Sequence, residues 1–462
     1  MPKAEAKTIK KLNIIIVGCG KVGRTVVEQL HKEGHNITII EKDPIKLAQI
    51  TNMYDVMGVE GNGASYNIQM EAGIESTDLL IAVTGSDELN LLCCTIAKRA
   101  SDCSAIARVR TPDYSREVAY LQEKLGLAMI INPELEAARE IVSILSLPSA
   151  LEVNSFAHGQ AEMIEFEIPK DNLLDGITLF ELTQKMTVSA LVTCVKRENA
   201  VHIPSGGFIL RAGDIVSIVG ARRFAKVFLN DIGINTRQVT DCLIIGGGKS
   251  AYYLAASLLS NGVSVKLIEQ DEARCSELSV LLPKAIIIHG DGSDENLLME
   301  EGLQHAESFV PLTGIDEQNI LLTLFANQVS KAKVVTKVNR INFKGVIGDL
   351  DLGSIVYPKY IASEAIVAYV RAKSASSDKN IETLYHLFDQ QVEAIEFNVT
   401  ESSNATSTPL SKMRLKKNVL VSFINRNGKI IIPSGSDSIE IGDTVMIVTT
   451  EQGFKHITDI LD

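Results

Sequence analysis

The chain is written twice, and that duplication limits its fold more than any other feature. Residues 14–23 read I-I-I-V-G-C-G-K-V-G, and residues 243–251 read L-I-I-G-G-G-K-S-A. Each glycine turn is followed, at the same distance, by a strand pattern ending in an acid: I-T-I-I-E at Glu41 and V-K-L-I-E at Glu269. Gly18 and Gly246 stand 228 residues apart, and so do Glu41 and Glu269. A single glycine turn is weak evidence of anything. Two, each with its acid in register, predict two copies of a strand–turn–helix–strand unit of the dinucleotide-binding kind.

The remainder of each copy extends this unit into alternating strands and helices. Residues 12–17 are apolar but for Asn13, as in a strand covered on both faces. Val22, Val26, Val27 and Leu30 then fall at helical spacing, and Gly34 is placed to close the helix. Strand patterns follow at 37–40, 55–59, 79–84 and 105–109. Helices are expected from Pro44 and over 88–100, with a last strand–helix step reaching about Pro148. The second copy keeps the order, with strands at 267–269, 285–292, 309–314 and 334–338. Small motifs recur too: Gly61-Asn62-Gly63 against Gly290-Asp291-Gly292, Thr84-Gly85 against Thr313-Gly314, and Asp87 and Asn90 against Asp316 and Asn319.

A second, smaller module follows each copy and is also repeated. I-E-F-E-I at 164–168 answers I-E-F-N-V at 395–399, I-P-S-G recurs at 203–206 and 432–435, and a G-D-containing strand signal recurs at 212–219 and 441–448. Alternating strands with a helix make this an α+β module. The expected fold is therefore α/β: two Rossmann-like doubly wound parallel sheets, each followed by a small α+β domain. The expected boundaries are a flexible leader over 1–11, a first Rossmann-like domain over 12–148, and a first small domain over 149–235. A second Rossmann-like domain spans 240–375 and a second small domain 378–462. S-A-S-S-D at 374–378 reads as a linker, and the polar stretch 401–409 as a loop within the last domain.

Composition narrows the function classes. With 45% hydrophobic and 22% charged residues, the chain suits a soluble globular protein with full cores. A formal charge of −12 argues against a nucleic-acid partner and against membrane attachment by a basic face. No apolar run is long enough to span a bilayer, and the polar start M-P-K-A-E-A-K-T-I-K has no apolar core of a secretory signal. Seven cysteines without framework spacing point to a reducing cytoplasm, with Cys93-Cys94 as buried thiols.

In the first turn, Gly18 permits the tight exit from the strand, Gly20 lets the backbone approach a pyrophosphate, and Gly23 lets the helix sit close to the sheet. With Cys19, Lys21 and Val22 between them, these residues aim unpaired N–H groups at phosphate. Glu41 is placed to accept hydrogen bonds from ribose hydroxyls and would repel a 2′-phosphate, which favours NAD(H) over NADP(H). The same acid serves the ribose of ATP or ADP, so both NAD(H) and ATP/ADP remain open. In the second turn Gly246, Gly248, Lys249 and Glu269 keep the pattern, while Ala251 replaces the third glycine. G-G-G-K-S at 246–250 is not a P-loop, because Leu243 stands where that motif needs glycine. His31 and His35, four residues apart, read as a solvated helix end and not as metal ligands; no metal site is expected. A dehydrogenase would need a substrate pocket with an acid–base residue, and His158, His202 and His456 lie in unrelated contexts.

This four-part order resembles the TrkA proteins, the cytoplasmic nucleotide-binding subunits of bacterial Trk potassium-uptake systems, whose modules are RCK (KTN) domains. The motifs that carry the resemblance are G-C-G-K-V-G with Glu41, G-N-G at 61–63, A-V-T-G-S-D-E-L-N at 82–90 and I-A-R-V-R-T-P-D-Y at 106–114. It implies that Asn62 lies near the adenosine, Thr84-Gly85 near the second nucleotide half or the phosphates, and Arg108 on the phosphates. In the second copy Asp291, Thr313 and Gly314 match these positions, and Lys337 answers Arg108 without its planar fork. It further implies no catalytic residue, a homotetrameric ring, a location at the inner face of the cell membrane, and a membrane potassium transporter of the TrkH/TrkG type as partner. The alternatives are a soluble NAD-dependent dehydrogenase or a nucleotide-sensing adaptor of another membrane partner.

Overall fold

The computed structural model describes residues 11–115, 117–198, 200–222, 224–234, 236–339, 350–374, 381–388 and 391–462. All but the last residue of the expected leader, and all but the first of the 374–378 linker, lie outside them. The first sheet is parallel, in the order β3-β2-β1-β4-β5-β6. Its strands are β1 (Asn13–Val17), β2 (Asn36–Glu41), β3 (Met57–Glu60), β4 (Leu79–Ala82), β5 (Ser104–Arg108) and β6 (Met129–Ile131). A second parallel sheet repeats the order as β14-β13-β12-β15-β16-β17. It is built from β12 (Asp241–Ile245), β13 (Ser264–Glu269), β14 (Ile286–His289), β15 (Ser308–Pro311), β16 (Lys333–Lys337) and β17 (Ser354–Val356). In both, chain order reverses at the central pair, β1/β4 and β12/β15. The carboxyl ends there form the crevice in which open α/β sheets bind ligands.

Two antiparallel sheets make up the smaller modules. One runs β10-β9-β11-β8-β7, from β7 (Glu152–Phe156), β8 (Ala161–Glu167), β9 (Ala190–Arg197), β10 (Ala200–His202) and β11 (Ile215–Ala221). The other runs β18-β19-β22-β20-β21, from β18 (Ile381–Leu387), β19 (Val392–Asn398), β20 (Val419–Arg426), β21 (Lys429–Ile431) and β22 (Thr444–Thr449). The sheets share one core, in which Phe156, Met163 and Val219 meet Val392, Phe423 and Met446. Phe156 meets Tyr385 edge-on at 4.9 Å, the favoured geometry for two rings.

By packing, the chain forms two compact units. One holds the first parallel sheet together with helix Pro358–Ser374, and the other holds the remaining three sheets. The last helix of the 240–375 span thus packs on helix Lys21–Lys32. A buried ion pair pins it there, with Arg371 Nε 2.6 Å from Glu33 Oε1. Close by, Lys373 Nζ donates to Ser104 Oγ at 2.8 Å.

Local expectations hold with small shifts. Helix Lys21–Lys32 ends before Gly34, whose φ of +80° is the left-handed stop that glycine supplies. The apolar stripe of Val22, Val26, Val27 and Leu30 is buried as its spacing requires. All seven cysteines are reduced and buried, and burial pushes the Cys93 thiol up to about 12. His35 corrects the reading of a solvated helix end. It is buried, and its Nδ1 accepts the N–H of Leu12 at 3.3 Å. The tight turn at Gly34 leads the chain directly into β2 beside β1, where Asn36 N–H donates to Leu12 O at 3.0 Å.

Candidate functional site

At the first crevice the turn leaves β1 through Gly18, with φ +101°. Its N–H donates to Ile40 O at 2.9 Å, and a Cβ there would come within 3.1 Å of the Thr84 backbone. Gly23 is held closer still: a Cβ would lie 2.0 Å from Gly18 O. Gly20 is different. A Cβ on it would meet nothing within 4 Å, and it sits at the N-cap of helix Lys21–Lys32, which has no side-chain cap. An uncapped helix N-terminus facing open space, with no acid in its first turn, fits a phosphate group. Lys21 is exposed there, while Cys19 and Val22 are buried and offer the site only their backbone.

Glu41 ends β2 beside this turn. Its Oε2 accepts Cys19 N–H at 2.7 Å, and its Oε1 accepts Lys42 N–H at 3.0 Å and Asp43 N–H at 3.1 Å. Three of its roughly four acceptor positions are therefore engaged, so a ribose would share the carboxylate with the turn. Asn62 is exposed, its Oδ1 accepting Ala64 N–H at 3.0 Å. Thr84 and Gly85 lie across the crevice on the loop leaving β4. Thr84 donates to Asn90 Oδ1 from both its N–H, at 2.8 Å, and its hydroxyl, at 2.7 Å. Arg108, at the end of β5, donates to Thr84 O. Its Nε is buried without a hydrogen-bond partner, and burial pulls its pKa below the usual guanidinium value. A buried, unsatisfied donor on a cation bonded to the Thr84 loop is what an anionic ligand would repair.

The second crevice is a cavity of about 440 Å³. Gly246, Gly248, Glu269, Asp291, Thr313, Gly314 and Lys337 line it together; of the expected residues of this copy, Lys249 is outside the lining. Gly246 has φ +94°, and Gly248 faces open space at the uncapped start of helix Lys249–Ser260. Glu269 Oε2 accepts Gly247 N–H at 2.5 Å. Asp291 is exposed, and the hydrogen bonds it accepts from Ser293 hold its carboxyl below the usual range. Lys337 Nζ donates to Leu312 O at 3.0 Å. Ala251 is fully buried in place of the third glycine.

Several structural residues of the sites carry no role in the sequence reading. Asp87 is buried and accepts from Arg110 N–H, Arg110 Nε, Thr111 N–H and the Thr111 hydroxyl, at 2.9, 3.2, 2.7 and 2.7 Å. Asn90 Nδ2 donates to Arg108 O at 2.9 Å. Together they lock the Thr84-Gly85 loop to the end of β5. Asn319 repeats the Asn90 role on Thr313 and on Lys337 O. The recurrence of Asp87 and Asn90 in the second copy was the signal for them. Arg110, which also donates to Gly85 O, has no such signal, because Asn339 takes its place in the second copy.

Among the described residues no helix is long and apolar enough to cross a membrane, and no group of three or more potential ligands could hold a metal ion. The TrkA-N domain pattern matches residues 14–133 and 242–358, and the TrkA-C domain pattern matches 163–233 and 394–462. A Trk system potassium uptake protein TrkA homolog from Methanosarcina mazei is 31% identical over 454 residues, covering 96% of this chain and 99% of that protein. The Trk system potassium uptake protein TrkA of Haemophilus influenzae is 28% identical, covering 97% and 98%. Among solved structures, the GsuK RCK domain aligns with TM-score 0.63 at 16% identity, over 97% of this chain and 94% of that one. The GsuK channel bound to NAD aligns with TM-score 0.63, over 97% and 78%, and at these identities both speak for the fold alone. With both domain types matched twice and near full-length relatives, the chain belongs to the TrkA family, whose curated members carry the name of a potassium uptake protein and not of an enzyme.

Proposed function

We propose that this chain is a cytoplasmic regulatory subunit that binds NAD(H) and adenine nucleotides and gates a potassium transporter of the TrkH/TrkG type through a homotetrameric ring. One observation carries the nucleotide part of this reading. At each switch point a helix N-terminus without a side-chain cap accompanies an acid bonded to the glycine turn and a cation bonded to the loop across from it, groups whose chemistry suits ribose and phosphate. The names of the relatives, and the NAD-bound and ADP-bound states of GsuK, support the potassium and nucleotide parts. Gly18 to Gly23 with Arg108 would hold the phosphates and Glu41 the ribose in the first site. Gly246, Gly248 and Lys337 with Glu269 would do so in the second, with Asn62 and Asp291 at the adenosine side.

What these residues do is bind and pull together. Phosphate charge at Gly20 would draw in Arg108, which is tied to Thr84, so elements on both sides of the switch point would respond to one ligand. Ligands that favour two arrangements unequally shift their populations by no more than that difference in affinity. The test is titration of the purified chain with NADH, NAD, ATP and ADP while its oligomeric mass is recorded, followed by potassium uptake in cells carrying Glu41→Ala or Arg108→Ala. Saturable binding by a tetramer, with uptake altered in the variants, is the expected result. A monomer that turns over a nicotinamide substrate would replace this reading with that of a dehydrogenase.

A further inference from the structure

The two turns solve one problem with different residues. In the first site the Cys19 peptide is held from both sides: its N–H donates to Glu41 Oε2 at 2.7 Å, and its carbonyl accepts Arg24 Nε at 3.3 Å. In the second site the Gly247 peptide is held in the same way, by Glu269 Oε2 at 2.5 Å and Arg274 Nε at 2.7 Å. The acids occupy matching positions of the duplication, but the arginines do not. Arg24 comes from helix Lys21–Lys32, and its second-copy counterpart is Tyr252. Arg274 comes from helix Glu272–Leu281, and its first-copy counterpart is Lys46. Lys46 is itself turned to Asp43 at 3.3 Å.

From this convergence we infer that Arg24 and Arg274 are positioning residues for phosphate, each acting through the carbonyl of the middle residue of its glycine turn. The inference rests on the nucleotide reading above and deepens it. A trans peptide is planar, with C=O and N–H pointing opposite ways. Fixing Cys19 O therefore fixes the direction of Gly20 N–H, and fixing Gly247 O fixes Gly248 N–H. Those are the donors at the open, uncapped helix ends. Each guanidinium is anchored at its far end as well, Arg24 Nη2 on Gln49 Oε1 at 2.9 Å and Arg274 Nη1 on Glu277 Oε2 at 2.6 Å. The arginine thus acts as a strut between the turn and a helix surface. Its contribution belongs to ligands that carry phosphate, because the ribose is met by the glutamate.

The test reads one site at a time. Gly248→Leu fills the open space of the second turn at an ordinary φ of −67° and leaves the first site to be titrated with ADP and with adenosine. In that background Arg24→Ala should weaken ADP about tenfold, the worth of one charge-assisted hydrogen bond, and adenosine less than twofold. Arg24→Tyr with Lys46→Arg, which writes the second site's solution into the first, should restore ADP affinity to within about threefold of the parent. Unchanged ADP affinity in Arg24→Ala, equal losses for ADP and adenosine, or no recovery in the double variant would each overturn the strut. A Gly248→Leu parent that binds neither probe would overturn the nucleotide reading of the first site, and the strut with it.

Discussion

The two crevices share a backbone and differ in their cations. Strand order, glycine conformation, the acid on the turn and the asparagine that holds the threonine loop recur almost atom for atom. Around the phosphate position the first site carries Lys21, Arg24, Arg108 and Arg110, where the second carries Lys249, Arg274, Lys337 and the neutral Asn339. Duplication has kept what shapes the crevice and released what sets its charge. Two sites in one chain with equal shape and unequal charge should rank ligands differently, the first favouring more phosphate charge.

The largest expected effect separates the loop locks. Asp87→Ala strands four buried or half-buried donors, Arg110 twice and Thr111 twice, and should cost about 3 kcal/mol of stability. Among the described residues Asp316 accepts Asn339 N–H and Nδ2, both at 2.9 Å, and Asp316→Ala should cost about 2 kcal/mol. Equal losses in urea unfolding would mean that the two locks hold their loops with the same strength. Next comes the third glycine of the turn. Gly23→Ala would place a Cβ 2.0 Å from Gly18 O and should cost about 2 to 3 kcal/mol. The reverse change, Ala251→Gly, loses only helix propensity and a methyl contact, about 1 kcal/mol. A Gly23→Ala protein as stable as its parent would show that the first helix can shift to admit a methyl group. In ADP titrations with one turn closed by leucine, Arg108→Ala should weaken the first site at least tenfold. Lys337→Ala should weaken the second about threefold, since a point charge gives up less than a planar fork.

Much of this was legible in the sequence because the chain repeats itself. Glycine spacing and the acid at the strand end pointed to both switch points; Asp87 and Asn90 recur between the copies, but their part in holding the threonine loop is visible only in the hydrogen bonds. Two things were hidden, for physical reasons. Nothing local says that helix Pro358–Ser374 packs on helix Lys21–Lys32, because an apolar helix face does not name its partner and the Arg371–Glu33 pair joins residues far apart in sequence. The arginine struts were hidden because comparing the copies position by position pairs Arg24 with Tyr252 and Arg274 with Lys46. Equivalence there lies in the carbonyl reached, not in the residue number. His35 misled for a related reason, since a helix end usually faces water and this one turns at once into a strand of the sheet.

The smaller modules repeat the contrast at one buried carboxyl. Glu165 on β8 has Glu152 directly across the strand pair, whereas Glu396 on β19 has Thr383 there. Glu396 is 1% exposed and accepts Ala157 N–H at 2.8 Å from the other module. Burial pushes its carboxyl up to about 7; Glu382 adds to the rise, while Thr383, Ala157 N–H and His158 oppose it. A carboxyl raised above its unfolded value near 4.5 stabilises the fold fully below that value and loses this contribution as pH rises through about 7. Glutamine keeps an acceptor for Ala157 and cannot ionise. Between pH 6 and 8 the wild type should therefore lose stability relative to Glu396→Gln, by on the order of 1 kcal/mol at the upper end. The measurement is a set of urea unfolding curves across that range. Parallel pH profiles for the two proteins would mean that water or a movement of the Ala157 turn relieves the charge. The seam between the modules would then be softer than its packing suggests.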